Sequence, residues 1–248
     1  MSQQSTPFAE IIPTHRPCDD CGVPVEWEPI MFDGFDIASG LPCLCDRCAL
    51  ERTRVTERKQ RDARITDCQA KLAACIGERL RQTDIDHPEF NRAAWNVIKA
   101  AVNILNNRNI VLVGPSGLCK SRMMYLLCKQ ATWKSLSIAW VTTDELSVLA
   151  DQLSHFATRN DARAKINSLQ YAGRLVIDDI GKTQWTKQTE EVVWIILSSR
   201  YDHNRPTWAS CNTHPTQLQL EGFFTRDRGA AIVGRILEEA QVFELKHH

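Results

Sequence analysis

VLVGPSGLCKSR, residues 111–122, decides how the chain is read. An apolar run enters a loop at Gly114, small residues follow, and Lys120-Ser121 closes it. This is the layout G-x-x-x-x-G-K-[ST] of a phosphate-binding loop, with Cys119 standing where the second glycine belongs. In such a loop the main-chain N–H groups converge on phosphate oxygens, the lysine adds charge and the hydroxyl ligates Mg²⁺. Gly114, Pro115, Ser116, Gly117, Leu118, Cys119, Lys120, Ser121 and Arg122 are therefore expected to cradle ATP. A side chain at position 119 costs about 1 kcal/mol if its φ is positive. Cysteine is small, so weakened rather than abolished nucleotide binding is expected.

The flanking pattern fits such a loop. Short apolar runs at 109–114, 137–143, 174–180 and 207–212 alternate with helical stretches at 91–106, 120–133, 144–157, 161–171 and 187–203. That alternation predicts an α/β fold with a parallel sheet. The run RLVIDDI (174–180) ends in two carboxylates. Asp178 is placed to hold Mg²⁺ together with Ser121, and Asp179 to orient an attacking water as general base. TWASCN (207–212) ends in Asn212, a polar group able to sense or position the attacking water near the γ-phosphate. Arg235, in GAAIVGRILEEA, falls on a helix and is available as a finger for a neighbouring subunit's nucleotide.

Ten cysteines are many for a chain with no basic-then-apolar leader and no apolar run near the length of a membrane span. A cytoplasmic location is expected, where disulfides are disfavoured. CDDC (18–21) and CLCDRC (43–48) supply two C-x2-C knuckles, Cys18/Cys21 and Cys45/Cys48, with Cys43 an alternative to Cys45. Four thiolates complete a tetrahedron around Zn²⁺ and leave no open position, so the site is structural. Residues 1–16 are polar and read as a loose tail. Residues 49–81 read as a helix broken near Asp67, leading into a joint at TDIDHPEFN. The expected organisation is a zinc-ribbon module over 1–50, a helical linker over 51–88 and an ATPase domain over 89–248.

The stretches VLVGPSGLCKSR, RLVIDDIGK, SRYDHNRPTWASCNTHP and RGAAIVGRILEEA resemble the AAA+ ATPases of the DnaC-type helicase-loader group, which includes the IstB-type transposition helpers. The resemblance runs from about residue 76 to 240. It implies a P-loop AAA+ core without a C-terminal lid, with Lys120, Asp178, Asp179, Asn212 and Arg235 in catalysis. It also implies ATP, Mg²⁺ and Zn²⁺ as cofactors, and an adenine packed near the segment ERLRQTDIDHPEF (78–90), with Arg79 or Leu80 as its contacts. An N-terminal zinc module on such a core resembles helicase loaders in which that module contacts the replicative helicase. Cys119, and Asp179 in place of the longer Glu, point to slow hydrolysis suited to a switch.

Lys+Arg and Asp+Glu both number 30, so a DNA site has to come from a local patch rather than the whole-molecule field. Arg159, Arg163 and Lys165 are the candidates for single-stranded DNA in an ATP-dependent homo-oligomer. The basic residues between Arg52 and Arg64 are diluted by acids and read as a solvated helix face. Trp133, Trp140, Trp185, Trp194 and Trp208 read as packing. The rival readings are a transposition helper acting on duplex DNA and a catalytically weak zinc-containing adaptor.

Overall fold

The computed structural model describes residues 14–28, 30–32, 35–36, 41–83, 85–87, 90–104 and 107–246. The expected tail up to residue 13 lies outside them. By internal contacts the chain divides into two compact units, Met1–Ala63 and Arg64–His248.

In the first unit β1 (Thr14–Pro17) and β2 (Pro24–Trp27) pair antiparallel, with Thr14 opposite Trp27. Residues 14–16, expected in the tail, are thus strand. A second small pair joins β3 (Met31–Phe32) to β4 (Phe35–Asp36). Helix α1 (Asp46–Cys75) starts inside the second cysteine knuckle. Its residues 50–64 are exposed apart from their backbone, as a solvated charged face should be, and Arg52 makes a two-pronged ion pair with Asp20. α1 runs unbroken through Asp67, correcting the break expected there. Lys71 Nζ donates to Asp67 at 2.7 Å one turn on, an i,i+4 pair that supports the helix. The helix stops before Ile76-Gly77, and α2 (Glu78–Arg81) is a single further turn.

The second unit continues with α3 (Arg92–Ile104), β5 (Ile110–Val113), α4 (Lys120–Trp133), β6 (Ile138–Thr142), α5 (Thr143–Ser154) and α6 (Arg159–Tyr171). Then come β7 (Arg174–Ile180), α7 (Lys187–Asp202), β8 (Thr207–Cys211), α8 (Pro215–Leu220), α9 (Arg226–Leu237) and β9 (Gln241–Glu244). The five strands form one parallel sheet in the order β6-β7-β8-β5-β9. Successive side chains of a strand point to opposite faces, so β5 serves two cores. Val111 and Val113 pack with Leu146, Ala162, Val193 and Ile232 on one face. Ile110 and Leu112 pack with Ile98, Met123, Leu127 and Leu72 on the other. Helices on both faces explain why the strands read as unbroken apolar runs.

Two residues depart from expectation or extend it, Trp133 and Arg200. Trp140, Trp185 and Trp208 are buried, but Trp133 at the end of α4 is 57% exposed and does not pack in the core. Arg200, in the stretch that carries the family resemblance, is 1% exposed. Its guanidinium donates to the carbonyls of Leu169 (2.8 Å) and Ala172 (2.9 Å) at the end of α6, to Pro206 O, and to Thr207 Oγ1. The charge sits at the negative end of α6, where a cation is favoured. Arg200 thus ties α6, α7 and the entry to β8 together.

Candidate nucleotide site and cysteine cluster

The loop between β5 and α4 turns at Gly114, where φ is 155°. A Cβ there would lie 2.5 Å from the carbonyl oxygen of Leu245, just beyond β9. Close approach of the chain's own backbone therefore requires this glycine. Gly117, at φ 91°, is different: a Cβ there would meet nothing within 4 Å, so its surface faces the open cleft. Cys119 takes φ 56° and ψ 26°, the left-handed conformation that glycine adopts freely. The thiol-bearing residue thus holds the backbone shape of the glycine it replaces, at a cost of about 1–2 kcal/mol. The N–H groups after it open α4, the end of a helix that favours anions.

Around this loop lies a cleft of about 630 Å³ lined by Ser116 to Arg122, Asp178, Asp179, Asn212, Leu80 and His87. Lys120 is 6% exposed, and its ammonium donates to Gly114 O (2.7 Å), Pro115 O (2.9 Å) and Asn212 Oδ1 (3.0 Å). Burial pushes its pKa down, opposed by the charges of Asp179 and Asp178. Ser121 Oγ donates to Asp178 Oδ1 at 3.0 Å, so the two expected Mg²⁺ ligands touch. Asp178 is 4% exposed, and burial raises its pKa although Ser210 and Ser121 donate to it. Two oxygen donors of this kind, under an open amide loop, suit a hard cation bridged to phosphate.

The fold thus brings Lys120, Ser121, Asp178, Asp179 and Asn212 to one cleft. Leu80 joins its rim; the Arg79 side chain lies outside the described residues. His87 also lines the cleft; it lies in the segment 78–90 expected near the adenine, although it was not singled out there. Arg235 is elsewhere. Its guanidinium stacks 3.6 Å over the Tyr201 ring and pairs with Glu238 at 3.0 Å, on a larger cavity of about 900 Å³ near the start of β5 and β8. Of the candidate DNA contacts, Arg163 and Lys165 are exposed on α6, whereas Arg159 Nε donates to Leu153 O at 3.0 Å. Phe156, between α5 and α6, is 91% exposed and was not singled out from sequence.

In the first unit the thiols of Cys18, Cys21, Cys45 and Cys48 all lie within 4.8 Å of one another. A tetrahedron with Zn–S near ~2.3 Å has sulfurs about 3.8 Å apart, and Cys21 Sγ stands 3.6 Å from Cys45 Sγ. The donor set fits Zn²⁺. Cys43 lies outside it, its thiol donating to Arg16 O at 3.9 Å. Its backbone does the work instead: Asp19 N donates to Cys43 O and Cys43 N to Asp19 Oδ2, locking one knuckle to the other.

No curated protein matches the chain in sequence. Among solved structures, the DnaC helicase loader superposes with a TM-score of 0.54 at 17% identity, covering 68% of this chain and 100% of that one. DnaI gives 0.52 at 22% identity, covering 68% and 88%. The replication initiator DnaA bound to AMPPCP and single-stranded DNA gives 0.50 at 18% identity, covering 72% and 50%. This chain therefore spans only about half the length of that initiator. These likenesses concern the fold alone. The sequence itself matches the profile of one family over residues 47–248. That match, over most of its length and including the cleft just described, makes the chain a member of the IstB-like ATP binding protein family.

Proposed function

We propose that the protein is a slow ATPase that loads a replicative helicase onto single-stranded DNA. The observation that carries this reading is the meeting of Lys120, Ser121, Asp178 and Asn212 in one cleft, on a fold shared with the DnaC loader. Lys120 leaves the loop carbonyls to balance phosphate charge, and Asn212 positions the attacking water. Ser121 and Asp178 hold Mg²⁺, which when bound draws charge from the β- and γ-phosphates. Asp179 takes up the water's proton. Arg235, leaving Tyr201 and Glu238, reaches the nucleotide of a second copy. Turnover by the purified full chain, compared with Lys120→Ala, tests the ATPase. Equal activity in the two would end this reading.

Single-stranded DNA binding is supported by the exposed ring of Phe156 before α6 and by two exposed cations on that helix, Arg163 and Lys165. Base–aromatic stacking is worth about 1–3 kcal/mol per base, so Phe156→Ala should weaken binding to an oligonucleotide about tenfold and leave basal ATP turnover intact. The zinc module is the part that grips the helicase, in the cytoplasm, and a pull-down of the replicative helicase with and without residues 1–45 tests it. A second reading, which rests on the resemblance to the IstB-type transposition helpers, is a helper acting on duplex DNA. ATP-dependent preference for duplex over single strands would select it.

A further inference from the structure

The two carboxylates of the cleft owe their placement to an irregularity. β7 and β8 pair in register from Leu175↔Thr207 to Ile177↔Ala209, and then Ile180 faces Cys211. Two residues, Asp178 and Asp179, therefore oppose the single residue Ser210. This is a β-bulge, which leaves one strand with a backbone group that has no ladder partner. Asp179 takes φ 62° there, in the left-handed region. Such strain persists only where the surroundings over-determine it.

The surroundings do so with two hydroxyls. The Asp179 N–H donates to Ser210 Oγ at 2.9 Å, replacing the ladder bond that the bulge removes. The Asp179 carbonyl accepts from Thr143 Oγ1, at the start of α5, at 3.2 Å. Ser210 Oγ in turn donates to the Asp178 carboxylate. Both hydroxyl residues are buried, Ser210 at 0% and Thr143 at 1% exposure. A buried hydroxyl in an otherwise apolar strand needs partners, and both partners of Ser210 belong to the acid pair.

We propose that Ser210 and Thr143 are positioning residues that clamp the Asp179 backbone in its left-handed conformation and so aim the Asp178–Asp179 pair into the cleft. The inference rests on the nucleotide-site reading above. One serine hydroxyl serves both acids: it fixes the carboxylate of the first and the main chain of the second. Removing it leaves the Asp178 carboxylate held by Ser121 without its second hydroxyl, and the Asp179 N–H without its partner, while the phosphate loop stays as it was.

The test uses the full chain, as wild type, Ser210→Ala, Ser210→Thr and Thr143→Val. Two quantities are measured: ATP turnover with its KM, and amide hydrogen exchange of the segments 176–182 and 111–122. Ser210→Ala should lower kcat about tenfold or more with KM changed less than about threefold, the split expected when transition-state alignment alone is lost. Exchange in 176–182 should quicken with 111–122 unchanged, and Ser210→Thr should restore both. Thr143→Val, which removes a hydroxyl at nearly constant volume, should move both quantities the same way and decides the matter if Ser210→Ala does not fold. Turnover within about twofold of wild type with unchanged exchange overturns the inference, as does faster exchange spread evenly over both segments. Should wild type show no turnover, the ATPase reading fails separately, and local exchange alone decides the clamp.

Discussion

The two units of the chain are held by different forces. Among the residues of the first unit whose side chains are described, the buried apolar ones are Cys18 and Cys43. The second unit buries both faces of a five-stranded sheet. A module with so little to bury cannot offset its chain entropy by packing and depends on a staple. The comparison teaches where each unit is vulnerable: the first at four sulfur atoms, the second only where polar groups are buried.

The sharpest way to break this contrast is to remove the staple. Metal-free protein, or Cys18→Ser, should lose all structure in the cysteine module while the second unit melts unchanged. Limited proteolysis and metal content read this, with roughly one Zn²⁺ per chain expected. Continued protection of residues 14–45 without metal would dissolve the distinction. Next in size is Arg200→Met, which strands the carbonyls of Leu169 and Ala172 in the interior. It should cost the second unit about 3 kcal/mol in a denaturant titration, with the cysteine module unaffected.

Asp178→Asn sharpens the contrast inside the second unit, by separating function from stability. Burial raises the Asp178 pKa, so the folded protein keeps that proton to higher pH than the unfolded chain. Stability contributed by this group therefore falls as pH rises from the ordinary carboxylate range through the raised value. Asparagine removes the loss. At neutral pH the variant should melt no lower than wild type and show a flatter pH dependence over the acidic range, while turnover drops about a hundredfold or more. The smallest effect belongs to Cys119→Gly. Relief of the left-handed backbone, less the entropy glycine gains when unfolded, should add about 0.5–1 kcal/mol and tighten ATP binding in calorimetry.

Much of this was legible in the chain. The strands covered on both faces are apolar throughout, and RLVIDDI is read to the residue as β7. The spacing of Gly114, Lys120 and Ser121 located the loop, and the positive φ on which the cost of a side chain at position 119 was conditional is present. β9 was not legible because QVFE, three half-buried residues and an exposed Glu244, has no apolar run or alternation to mark it. Trp133 misled because aromatic residues usually pack, and at a helix end nothing covers it. The choice of Cys45 over Cys43 turns on the start of α1, which brings Cys45 and Cys48 toward the same point. The bulge at Asp178–Asp179 is invisible in sequence, since it is a mismatch between two strands and not a property of either.

β9 has a wider consequence. Leu245 N donates to Val113 O at 2.7 Å, and the Leu245 carbonyl lies against Gly114. The last described stretch of the polypeptide therefore forms the back wall of the phosphate loop. A nascent chain that has not yet extended past residue 245 lacks that wall, so the loop can take up its finished shape only after the strand that follows α9 has been made.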